Sequence, residues 1–262
     1  MRKALLSILL ISTLSITTHA QSTRPEFDTV LFNQNLEFAS WLVEYEYITQ
    51  LSTDRFKADP ERPVTETFSY SFNNAWYTVG GNFTGKAFKI TRHIVIDSLY
   101  NISDYSGLFD STSLYSSGLA LHQAGILFQP ISDTCNLYFN SFVHRNPDKT
   151  ISVLYLPAFQ PSGQAIYGIE WEYIFDETGR KLLKQNSFTK GITAVWVGQP
   201  RELWLNYRTT DKPTLGSLFF ALAFCDYFTR LRIDTQFTIC TLSKNNTGEY
   251  FWTQKNKINS VP

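Results

Sequence analysis

ISVLYLPAFQ (Ile151–Gln160), AIYGIEWEYIF (Ala165–Phe175), DETGR (Asp176–Arg180) and KLLKQNSF (Lys181–Phe188) follow one another in a single stretch. Two apolar, aromatic-rich runs and an amphipathic one, separated by short loops, predict consecutive antiparallel strands. In the middle run Ile169, Trp171, Tyr173 and Phe175 fall on one side of a period-two repeat, and Glu170, Glu172 and Ile174 fall on the other. That alternation predicts apolar rings under the sheet and acidic neighbours in water. Gly179 in the DETGR loop stands where a hairpin connection needs positive φ. Upstream, Asn146-Pro147-Asp148-Lys149 predicts a turn between strands at 137–144 and 151–156.

The same reading extends along the chain. An imperfect apolar stripe through Leu36, Ala39 and Leu42, broadened by Trp41 and Tyr45, predicts a helix capped at Asn33 or Asn35 and ending near Leu51. Asp59-Pro60 and Arg62-Pro63 make a loop. A meander follows, with strands at 66–72, 75–79 and 86–97, the last alternating Phe88, Ile90, Arg92, Ile94 and Ile96 with Lys89, Thr91, His93 and Val95. A polar, Ser-rich segment (98–113) leads into a helix over 114–128. Strands are expected at 193–197 and 202–207, a strongly apolar helix over 214–226, and a last hairpin from 231–242 and 249–254. The fold class is therefore α+β: one domain over 21–262 with a mostly antiparallel sheet and two or three packed helices, or two closely packed lobes divided near 130.

The first twenty residues read as a signal peptide. Arg2 and Lys3 precede the apolar run Ala4–Ile16, and Thr18-His19-Ala20 ends on a small residue. Cleavage after Ala20 would leave a soluble chain, periplasmic or secreted, with no transmembrane segment. Whole-chain charge is balanced at 23 basic and 23 acidic residues, and losing Arg2 and Lys3 shifts it to about −2. Such a balance argues against nucleic acid as a partner and leaves a small molecule, a glycan or another protein. Export permits a Cys225–Cys240 disulfide; otherwise Cys135, Cys225 and Cys240 serve as small apolar side chains. The sequons at Asn82, Asn101 and Asn245 matter only in a eukaryotic secretory route.

Chemistry-bearing motifs are sparse. His93, His122 and His144 show no metal-ligand spacing, no CxxC occurs, and GxSxG, GxGxxG and GxxxxGK[ST] are missing, so neither metal nor cofactor is expected. Glu170 and Glu172, about 6.6 Å apart on one strand face, have the spacing of an acid–base carboxylate pair, with His93 as a third candidate. The plainer interpretation of the pair is a solvated strand face. Aromatic residues on strands could stack on sugars or grip a peptide, and Trp171, Tyr207 and Arg208 are the candidate ligand-binding residues. The leading expectation is a non-catalytic binding protein. Its rival is a periplasmic or secreted hydrolase using Glu170 and Glu172.

Overall fold

The computed structural model describes residues 27–85, 87–198 and 201–257. The expected signal peptide lies outside the described residues. The elements run α1 (Thr29–Lys57), β1 (Glu66–Phe72), β2 (Ala75–Thr84), β3 (Ala87–Ile96), β4 (Ile102–Asp104), α2 (Ser111–Cys135), β5 (Phe139–Arg145), β6 (Ile151–Pro157), β7 (Gln164–Phe175), β8 (Leu182–Trp196), β9 (Glu202–Tyr207), α3 (Leu215–Ala223), β10 (Arg230–Thr235), β11 (Thr238–Lys244) and β12 (Tyr250–Asn256). They form a single α+β fold with three four-stranded sheets, ordered β1-β2-β3-β4, β5-β6-β7-β8 and β12-β11-β10-β9. Every pairing is antiparallel except β9 with β10, which α3 connects in parallel. Among the described residues no helix is long and apolar enough to cross a membrane.

The Ile151–Phe188 stretch forms β6, β7 and the start of β8 in the expected order. Ile169, Tyr173 and Phe175 are buried as the alternation predicts. The acidic face differs from expectation because the sheet is covered on both sides. Phe142, Leu154 and Leu156 face α1 and α3, and Val143, Ile151, Val153 and Tyr173 face α2. Glu172 pairs across from Leu154, so both glutamates look toward the α1–α3 side rather than into open water. A bulge at Gly168 (φ +94°) inverts the alternation, which puts Tyr167 and Glu170 on one face despite their odd spacing.

Several element ends also move. Asp28, not Asn33 or Asn35, caps α1 through the Leu31 N–H (2.9 Å), and the helix continues to Lys57 because Ser52 and Phe56 are buried. The helix expected over 114–128 runs from Ser111 through Pro130 to Cys135, where Asn136 closes it in the left-handed conformation. The segments 181–188 and 193–197 are one continuous strand, β8. Conversely, 231–242 breaks at Gln236–Phe237 into β10 and β11. Cys135, Cys225 and Cys240 are free thiols, so the Cys225–Cys240 bridge is not formed. Cys240 is enclosed in the core, and burial pushes its thiol up to about 12.

Candidate functional site: an aromatic cavity between two sheet edges

The strands β1 and β5 are end strands of different sheets and lie side by side without pairing. Their facing backbone donors need another acceptor, and α1 supplies it. The fully enclosed Tyr45 hydroxyl accepts from Ser69 N–H on β1 (3.0 Å) and from Val143 N–H on β5 (3.2 Å). Burial pushes that hydroxyl up to about 12 against the opposing effect of both hydrogen bonds. Beyond this stitch, at Tyr70–Phe72 and His144–Arg145, the two strands line a cavity of about 600 Å³. That volume suits a small organic molecule, for which pockets of about 300–1,000 Å³ are usual.

Rings make most of the wall. Tyr70 and Tyr77 stack at 5.1 Å, and Tyr105 meets Tyr77 edge-on at 5.0 Å. Trp41 reaches in from α1, and Phe109 from the loop before α2. The Tyr105 hydroxyl donates to Leu108 O (2.9 Å), and a Cβ at Gly107 would sit 2.6 Å from that hydroxyl oxygen, so the loop closes tightly on its own ring. Asp110 caps α2 through the Ser113 N–H (3.0 Å), which fixes the first turn of the helix at the rim. Arg145 completes the rim. Its Nε donates to Ser113 Oγ (2.8 Å), and its terminal nitrogens donate to the carbonyls of Lys149 and Glu177 (3.3 and 3.4 Å).

His93 lies behind this wall, among Tyr70, Tyr77, Tyr105 and Phe109. Its Nε2 is 3.0 Å from the Tyr70 hydroxyl and its Nδ1 is buried without a partner. Burial lowers its pKa to about 4, so the ring is neutral at physiological pH. Glu170 stands at the start of α3, where Oε2 accepts from Gly216 N–H (2.8 Å) and Oε1 is buried without a hydrogen-bond partner. Burial raises its pKa, opposed by the nearby Thr214 side chain and the Gly216 N–H. Glu172 accepts from Ser152 Oγ (2.9 Å) and Asn186 Nδ2 (2.7 Å). Burial lowers the pKa of His144, only partly opposed by the Glu172 charge, and His144 lines the cavity.

Trp171 packs against Phe128 of α2, on the opposite face of the sheet from both glutamates. Tyr207 is buried and stacks on Phe188 at 5.5 Å. Arg208, its chain neighbour, is exposed and pairs with Asp234 (2.6 Å). The six candidates therefore do not line one cavity. Glu170, Trp171 and Glu172 are neighbours on β7, whose sheet is buried on both faces and sends alternate side chains to different compartments, while His93 on β3 and Tyr207 at the end of β9 belong to the other two sheets.

The cavity residues that sequence reading missed are chiefly Tyr70, Tyr105, Phe109, His144 and Arg145. Alternating rings in the Phe68–Phe72 run carry a signal, yet period two does not separate core packing from cavity lining, and Phe68 does both. Tyr105 and Phe109 lie in a segment whose serines make it read as plain loop. Among the described residues no group of three or more His, Cys, Asp or Glu could hold a metal ion. Comparison of the chain with family models, curated proteins and solved structures found no match.

Proposed function

We propose that this is an exported, non-catalytic binding protein whose aromatic cavity takes up an apolar, ring-bearing small molecule. The observation that carries the reading is the ring-lined cavity between the β1 and β5 edges, with Tyr70, Tyr77, Tyr105, Phe109 and Trp41 around it. Rings supply large apolar area at low entropic cost and stack on planar or alicyclic groups. The polar groups nearby fit holding better than chemistry: His93 is occupied by Tyr70, and Arg145 by three neutral acceptors. The carboxylate-pair alternative draws less support, since Glu170 is engaged by α3 and Glu172 by Ser152 and Asn186.

Fluorescence titration with the neutral probe N-phenyl-1-naphthylamine tests this. Saturable enhancement with micromolar affinity is expected for the wild type. Ser71→Trp adds an indole at a lining position on an exposed strand end and should weaken binding at least about tenfold without lowering the melting temperature. Absence of saturable enhancement, or equal affinity in the variant, refutes the proposal.

A further inference from the structure

The balanced charge of the chain conceals a local asymmetry on the third sheet. Register places Leu203, Leu205, Leu231, Ile233, Cys240 and Leu242 on the buried face. The alternate residues form the outer face. Trp204, Arg232, Thr241 and Thr253 make one cross-strand row, and Asn206, Asp234, Ile239 and Lys255 make the next.

Cations outnumber carboxylates across this face. Glu202 is shared by Arg232 (2.6 Å) and Arg230 (3.8 Å). Asp234 is shared by Arg208 (2.6 Å) and Lys257. Glu202 thus leaves one positive charge in excess. Lys190 donates to the neutral Asn206 amide oxygen (2.7 Å), and Lys255 is exposed on β12. Among the described residues five cations besides Lys257 (Arg208, Arg230, Arg232, Lys255 and, reaching in from β8, Lys190) therefore stand against Glu202 and Asp234, in a chain whose totals are equal.

We infer that the outer face of the β9–β12 sheet binds an acidic polysaccharide, independently of the aromatic cavity. An extended polyanion matches cations spread over the sheet, whose outermost strands lie about 14 Å apart at the usual strand spacing. Guanidinium groups match carboxylate and sulfate oxygens in forked pairs. The half-exposed Trp204 offers an apolar edge to a sugar ring. Two features disfavour other polyanions. The Arg232 guanidinium sits 4.5 Å from the Trp204 ring centre, covering a face that a nucleic-acid base would need for stacking. Trp204 and Phe251, the exposed large apolar residues of this face, lie on opposite outer strands and make no contiguous wedge for a bilayer.

The test uses the full chain and heparin as the probe, by calorimetric titration over a salt series. Wild type should bind heparin with an affinity that falls steeply as NaCl rises toward about 0.15 M. Arg230→Glu with Lys255→Glu should weaken binding at least about tenfold, and Arg230→Gln with Lys255→Gln should fall between the two. Both variants should keep the wild-type melting temperature and the wild-type affinity for N-phenyl-1-naphthylamine, which separates loss of this face from loss of the cavity. Unchanged heparin affinity in the glutamate variant overturns the inference, as does failure of the wild type to bind. Equal or tighter binding of a thymidine 20-mer or of phosphatidylglycerol vesicles at matched salt also overturns it.

Discussion

Tyr45 shows how one side chain can hold two sheets together. Its hydroxyl serves two backbone donors on strands that do not pair, so removing it strands Ser69 N–H and Val143 N–H in the interior. Tyr45→Phe is expected to cost about 2–4 kcal/mol in chemical denaturation, since each buried donor left unmet costs about 1–3 kcal/mol. A loss within experimental error would mean the two edges find other acceptors. His93 carries a second consequence at this scale. Its native pKa, near 4, lies below the ordinary 6.5, so the unfolded chain takes up the proton first on acidification. Stability from this group is complete above pH 6.5 and is lost as pH falls toward 4. After allowance for partial exposure, the loss is about 1–2 kcal/mol. His93→Gln keeps a hydrogen-bonding partner for Tyr70 and should flatten the stability profile between pH 6.5 and 4; an unchanged slope would place the titration elsewhere.

The long hairpin of β7 and β8 depends on two glycines that act for different reasons. At Gly168 the backbone has φ +94°, and a Cβ would lie 2.3 Å from Gly191 O across the pair. At Gly191 φ is +117°, and nothing lies within 4 Å of an added Cβ. Gly168→Ala should therefore destabilise by about 3 kcal/mol or more, and Gly191→Ala by about 1 kcal/mol from backbone strain alone. Thermal denaturation of the two variants checks the order, and equal effects would contradict the bulge geometry. Strands were the most legible elements because period two and turn residues mark them directly: 66–72 and 202–207 coincide with β1 and β9. Helix ends were less legible. Burial of Ser52 and Phe56 carries α1 past Leu51, and α2 tolerates Pro130. Both outcomes are set by tertiary packing that no local pattern encodes.

At the level of the whole molecule, layering explains what the sequence could and could not say about function. A sheet with one wet face turns alternating acidic residues into a surface pair; covering the second face with α1 and α3 makes Glu170 an anchor for a helix start and Glu172 a hydrogen-bonded neighbour of Ser152 and Asn186. The alternation itself holds at Ile169, Tyr173 and Phe175. What it lacked was knowledge of the layer above. The cavity is assembled from α1, β1, β2, the 105–110 loop, α2 and β5, and its residues are separated by as much as Trp41 is from Arg145, so no spacing rule reaches it. Net charge fails in a similar way, because equal totals say nothing about the cations gathered at one sheet face. The claim on which the functional account rests is that the cavity between the two sheet edges is where the ligand sits. Crystals soaked with N-phenyl-1-naphthylamine test it most directly. The account predicts difference density for the naphthyl group among Tyr70, Tyr77 and Phe109; density confined to any other part of the molecule, or none at a saturating concentration, contradicts it.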